Sequence, residues 1–290
     1  MSITLPPATV PAADPAPPPR TSRAIRVLIA VAIVLVVLLI TSVVWLLPYA
    51  VADGPRTLSE DFDGPAGSAP DPSLFSLDTG GGGWGNAELQ EYTTDAVALD
   101  GEGALVITAT IPRDGGPITS GRLTTKGSFS FQAGRLEARI KLPEGQGLLP
   151  AFWLQGDSVD VVGWPGSGEI DIVETPSTTA TSSHHVHGPV TLTKKWSVGE
   201  GVRHDALLSD DYHVYGVTRG PGLIELTIDD VVVMTVTPDD MPEGGTWVFD
   251  LPMHMLFTLA VGGNWPGDPD ATTPEVAEMK IDWIRFTPAG

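Results

Sequence analysis

The chain has 290 residues, a formal net charge of −20 at pH 7, 33 glycines, 27 prolines and no cysteine. That length allows one large β domain or two smaller ones, and the lack of cysteine excludes a disulfide scaffold and thiol-linked lipid. So acidic a chain is repelled by nucleic acid and by anionic lipid surfaces, which leaves a neutral ligand as the expectation.

Residues 1–26 are rich in proline and alanine and predict a disordered cytoplasmic tail, ending in the basic flank Arg20, Arg23 and Arg26. Residues 27–47 form an apolar run from Val27 to Leu47, interrupted only by Thr41 and Ser42, long enough for a transmembrane helix. The arginine flank predicts the N-terminus inside, hence a single-pass signal anchor in the cell membrane with everything after Pro48 outside. The alternative is secretion after cleavage near Ala52, since Ala50-Val51-Ala52 has the small residues of a cleavage site. The run exceeds the usual apolar core of a signal peptide, about 7–15 residues, which favours the anchor. Residues 48–57 are a linker. Beyond the span, 13 basic residues face 35 acidic ones, because three arginines and Asp14 precede it.

From Leu58 onward the patterning is that of a β protein. Ala104 to Ile111 is β-branched and apolar, and Arg135 to Leu142 alternates strictly between charged and apolar residues. Further strands are predicted at Phe129–Phe131, Pro150–Leu154, Tyr212–Val217, Leu223–Val236 with a turn at Asp229-Asp230, Met255–Val261 and Lys280–Phe286. One wet and one dry face per strand implies antiparallel sheets packed as a sandwich or jelly roll. The glycines Gly80 to Gly83 are no phosphate loop, because no Gly-Lys-Ser/Thr and no helical pattern follow them.

The stretch Gly168-Glu169-Ile170-Asp171-Ile172-Val173-Glu174-Thr175 interleaves three acids with aliphatic residues. On a strand Glu169 and Asp171 share one face, with the isoleucines on the other. Glu174 falls out of phase unless one residue bulges near Ile172 or Val173, and bulges are over-represented beside active sites. Three carboxylates on one patch raise one another's pKa, and glycosidic-bond cleavage uses such a set, one carboxylate as nucleophile and one carboxylic acid as proton donor. A solvated acidic edge or a cation site is the plainer alternative. Next in the chain, His185 and His187 of His184-His185-Val186-His187 share a face; no third ligand stands at a recognisable zinc spacing in the sequence.

Several separated stretches, taken together, resemble glycoside hydrolase family 16 and within it the laminarinase-like endo-β-1,3-glucanases, which carry Glu-x-Asp-x-x-Glu with a bulge. The resemblance covers Leu58 to Pro288 and implies a catalytic domain over 58–288. It implies Glu169 as nucleophile, Asp171 as its helper and Glu174 as acid/base. Trp84-Gly85-Asn86-Ala87-Glu88-Leu89-Gln90-Glu91-Tyr92 matches a laminarinase fingerprint and implies that Trp84 and Asn86 face sugar. Arg122, in Ser120 to Gly127, matches an arginine that reaches the cleft. Trp164, before the acids, is the first choice for stacking on a sugar ring; Trp153, in Pro150 to Leu154, is the second, with core packing as the alternative. By the same resemblance His187 lies beside the acid/base, and Trp265, in Gly262 to Gly267, rims the cleft. Most members continue the strand after Tyr212 with Glu-Trp where this chain has Thr218-Arg219, a departure in local packing. Asp282 with the Gly101 carbonyl matches a structural calcium site of the family, and oxygen donors suit that ion; catalysis itself needs no cofactor.

The implied fold is all-β, a β-jelly-roll sandwich of two curved antiparallel sheets with an open substrate groove, preceded by one transmembrane helix. The implied activity is endo-acting, retaining hydrolysis of a neutral β-1,3-glucan by double displacement, performed by a membrane-held monomer that binds no nucleic acid. The alternatives are a membrane-tethered, non-catalytic glucan-binding module, whose mark would be a missing catalytic acid, and a hydrolase or transglycosylase of mixed-linkage glucan or galactan.

Overall fold

A computed structural model describes residues 57–191 and 193–290. The predicted cytoplasmic tail, the membrane span and all but the last residue of the linker lie outside the described residues. Among the described residues no helix is long and apolar enough to cross a membrane.

Among the described residues seventeen strands form two sheets, one of ten strands and one of seven. Leu105–Thr110 and Gly134–Lys141 alternate buried and half-buried residues without a break, as a strand with one dry face must. The ten-stranded sheet runs from Val231–Val236 through Leu223–Ile228, His213–Gly220, Gly134–Lys141, Val276–Pro288 and Leu105–Thr110 to the short strands Thr119–Ser120 and Glu91–Tyr92, with Leu58–Glu60 added on Val276–Pro288 and Val97–Leu99 on Leu105–Thr110. The seven-stranded sheet runs from Lys195–Arg203 through Thr181–Pro189, Glu169–Glu174, Leu148–Gly156, Met253–Val261 and Arg122–Thr124 to Ser76–Leu77. Neighbours pair antiparallel except Glu91–Tyr92 with Thr119–Ser120, which are parallel. One apolar cluster fills the interior with residues of both sheets, among them Ile107, Leu136, Phe152, Ile170, Val217, Phe257 and Ile281. Phe152 and Phe257 stack there with ring centroids 4.5 Å apart. The all-β, jelly-roll-like sandwich follows the expectation from the alternating strands.

The turn at Asp229-Asp230 is as predicted: both residues have positive φ, 48° and 63°, the backbone of a tight hairpin between Leu223–Ile228 and Val231–Val236. Phe129–Phe131 differs from its prediction, since only Phe131 forms a single bridge, to Met253. Their rings explain it, because Phe129 and Phe131 close on Phe286 at 5.4 and 4.7 Å and plug the sandwich rather than extend a sheet. The first strand stops at Glu60, whose Oε1 accepts the amide of Phe62 at 2.8 Å and bends the chain away. The region of the calcium expectation is built around an ion pair: Arg139 Nη1 donates to Asp282 Oδ2 at 2.6 Å, and its guanidinium lies 4.5 Å over the Tyr212 ring. An ion bound by Asp282 and the Gly101 carbonyl would share that carboxylate with a guanidinium.

Candidate active site

The acidic strand Glu169–Glu174 lies between Leu148–Gly156 and Thr181–Pro189. Against Leu148–Gly156, Asp171 pairs with Trp153 and Val173 with Phe152, so Ile172 is the extra residue. Against Thr181–Pro189 the register also slips, from Asp171 opposite His185 to Glu174 opposite Ser183. This is the bulge that the spacing required. Ile170, Ile172 and Val173 are completely buried, whereas on the other face Glu169 and Asp171 approach His187 and Glu174 approaches His185.

The bulge has a specific brace. Its Ile172 carbonyl accepts from Nδ1 of the buried His184 at 2.7 Å. A carbonyl only accepts, so the proton is on Nδ1; Nε2 then accepts from Ser182 Oγ at 2.8 Å. Burial holds the His184 pKa down to about 4, which keeps the ring neutral. Gly168, entering the strand at φ +80°, presents hydrogen where a Cβ would come within 2.7 Å of Val248.

His187 pairs with Glu169 and His185 with Asp171 across the strand. His187 Nε2 is 3.3 Å from Asp171 Oδ2 and 3.9 Å from Glu169 Oε1, and His185 Nδ1 is 3.2 Å from Glu174 Oε2. The histidine beside Glu174 is therefore His185, and the expectation that His187 would take that place is corrected. Antiparallel register explains the exchange: Glu169 lies opposite His187, whereas Glu174, at the other end of the strand, lies opposite Ser183 and so nearer His185. His185 was detectable in the sequence as the same-face partner of His187.

Burial is the first cause pushing all three acids upward. Glu169 rises to about 7, with Asp171 adding like charge, and Glu174 rises to about 8, with Glu169 adding like charge. Asp171 is raised well above the ordinary carboxylate range, by burial and then by Glu174. Lys195 opposes the shift on every one of them, and Glu169 alone has in addition the nearby His187 and a hydrogen bond from Trp164. Lys195 belongs to no motif and only its strand brings it here, with Nζ 5.1 Å over the Trp164 ring.

Aromatic residues flank this centre. Trp164 and Trp265 are each 45% exposed, wide enough to receive a sugar face. Trp164 lies 6.5 Å from the His187 ring, and Trp265 lies 5.5 Å from that of His185, so they stand at the Glu169 and Glu174 ends respectively. Trp153, paired with Asp171, shares its face and so belongs to the site's floor rather than to the core. Arg122 lies 4.9 Å from both the Trp153 and Trp84 rings and donates from Nε to Asp78 Oδ2 at 2.8 Å. Asn86 is tied to the Trp265 loop, its carbonyl accepting from the Asn264 amide at 2.9 Å. The structure thus brings ten residues singled out in the sequence into one region and leaves Asp282 and Gly101 apart from it.

Comparison with known proteins gives a consistent picture. The family model for glycosyl hydrolases family 16 matches residues 86–285. The β-glucanase of Rhodothermus marinus is 36% identical over 245 residues, covering 78% of this chain and 82% of that protein. Glucan endo-1,3-β-glucosidase A1 of Niallia circulans is 34% identical over 226 residues, which are 70% of this chain and 32% of that longer protein. The laminarinase catalytic domain of Thermotoga maritima has a TM-score of 0.72 and 34% identity, covering 80% of this chain and 98% of that one.

Proposed function

This chain belongs to glycosyl hydrolases family 16 and is a glycoside hydrolase, and we propose that it cleaves β-1,3-glucan internally with retention of configuration. The observation that supports the mechanism is the bulge at Ile172, which turns three carboxylates to one face between two exposed tryptophans. In the first step Glu169 attacks the anomeric carbon while Glu174 gives its proton to the departing glycosidic oxygen. In the second, Glu174, now a carboxylate, takes a proton from water as that water attacks, and Glu169 leaves ionised. Asp171, buried between them, holds a proton next to Glu169 and limits the charge that the nucleophile must share. His185 stands beside Glu174 and Trp265, on the side from which the leaving sugar departs.

β-1,3-Glucan is the favoured substrate because relatives named for that activity match two thirds or more of this chain, and because neutral sugars suit a domain this acidic. The arrangement at the membrane rests on the sequence alone, with the run Val27 to Leu47 anchoring the chain and the catalytic domain outside.

Reducing ends released by the purified chain from β-1,3-glucan, mixed-linkage glucan and agarose test this reading, with Glu169→Gln as control. Release of oligomers from β-1,3-glucan, lost in the control, is the expected result. Glucan binding without release from any polymer would replace it with the binding-module reading.

A further inference from the structure

The cleft-side histidines present a second chemistry that glycoside cleavage leaves unused. Strand alternation sets His185 and His187 side by side, ring centroids 5.5 Å apart and 11° from parallel. The sequence shows no third ligand near them, but the fold supplies one from the next strand. One ligand atom each from Asp171, His185 and His187 lies within 4.8 Å of the others.

Tetrahedral zinc holds its nitrogen and oxygen ligands at about 2.0–2.2 Å, so neighbouring donors stand about 3.3–3.6 Å apart. His187 Nε2 and Asp171 Oδ2, 3.3 Å apart, already have the spacing of one such edge. Glu174 Oε2, 3.2 Å from His185 Nδ1, stands beside the set. The outer nitrogen of His187, Nδ1, lies 2.6 Å from Ser197 Oγ, an outer partner of the kind that fixes a ligand ring's orientation. Two imidazoles and a carboxylate suit zinc or copper and not calcium. Lys195 opposes a cation here, with Nζ 3.5 Å from His187 Nδ1, but it approaches the nitrogen that faces away from the donor set.

We propose that Asp171, His185 and His187, with Glu174 beside them, form an inhibitory site for a divalent ion of the zinc class. A bound ion would hold Glu174 as a carboxylate, unable to protonate the leaving oxygen, and would put a positive charge beside the forming oxocarbenium-like centre. The binding claim is independent of the glucanase reading; the inhibition claim rests on it.

Titration of the full chain with Co2+ alone, as a spectroscopic stand-in, is expected to give the strong visible bands of four-coordinate cobalt, saturating at one ion per chain and displaced by Zn2+. His187→Ala should abolish the bands with an unchanged circular dichroism spectrum, and Ser197→Ala should weaken binding about tenfold. Weak six-coordinate bands only, or bands that survive in His187→Ala, would overturn the site. In the glucan assay Zn2+ should abolish release and a chelator should restore it; full activity with the site saturated would overturn the inhibitory role. A chain that cleaves no glucan at all would refute the function, while the cobalt spectrum still decides the site.

Discussion

Glu169 and Glu174 are both pushed up by burial, yet Glu169 has His187 and the Trp164 hydrogen bond on its side and settles lower, at about 7 against about 8. The lower group ionises first and suits the nucleophile; the higher keeps its proton and suits the acid. Activity then needs Glu169 ionised and Glu174 protonated, so kcat/KM plotted against pH should be a bell whose limbs fall at about 7 and about 8. Because the groups titrate together, Glu169→Gln should move the Glu174 titration down, which carbon-13 NMR of labelled carboxyls reads directly. The same shifts bear on stability. A glutamate held above its usual 4.5 binds protons in the folded state that the unfolded chain has released, so stability falls as pH rises from about 4.5 to about 8. Glu174→Gln should therefore stabilise the protein at about pH 9, on the order of 3 kcal/mol, and change little at about pH 4. Urea denaturation at both values checks the sign. Identity of these acids was legible from alternation and the resemblance. Their ranking was not, because it comes from His187 and Trp164, which lower Glu169 alone and which only the folded chain brings beside it.

A strand of period two can put Glu169 and Glu174 on one face only by inserting a residue, which is why the bulge could be inferred from the spacing. What holds it could not. His184 points to the core side of its strand, where the alternation reads it as one more buried residue, and only the register reveals its bond to the Ile172 carbonyl. His184→Leu keeps bulk but leaves that carbonyl without its donor, a cost of about 1–3 kcal/mol. The relaxed bulge would turn Glu174 off its line, so kcat should fall at least about tenfold with KM little changed and the circular dichroism spectrum retained. Steady-state kinetics on β-1,3-glucan separate the two parameters. Elsewhere the regular strands were readable where alternation was clean, as in Gly134–Lys141, and the hairpin at Asp229-Asp230 was placed correctly. Lys195–Arg203 escaped notice because it mixes exposed and half-buried positions and has two glycines, leaving little period to detect. Phe129–Phe131 misled for the opposite reason, since aromatic residues favour strands but here serve to close the sandwich.

One buried arginine of the ten-stranded sheet ties it to the loop that leads into Met253–Val261 of the other. Arg219 occupies the position where the family usually has tryptophan, and its side chain is 1% exposed on the ten-stranded sheet. Its guanidinium donates to the carbonyls of Phe131, Phe249 and Leu251 and lies 5.0 Å over the Phe131 ring. Those carbonyls flank the entry to Met253–Val261 in the seven-stranded sheet, so a side chain of one sheet fixes the approach to the other. Phe249 in turn packs against the hydrogen of Gly168, the residue before Glu169. The Thr218-Arg219 departure is thus a compensated one: the planar fork satisfies three loop carbonyls that a tryptophan could not. Removing it should matter for stability before chemistry. Arg219→Met fills similar space but leaves the Phe249 and Leu251 carbonyls without a donor, while Phe131 keeps the Met253 amide, and unfolding free energy should drop by about 3–5 kcal/mol. Arg219→Lys, which keeps the charge but lacks the fork, should recover only part of that loss. If the loop positions Gly168 as its contacts indicate, both variants also lower kcat in the order of their stability loss, measured well below the unfolding transition. An Arg219→Met protein as stable as the parent would mean that the carbonyls find other donors and that the two sheets need no such tie.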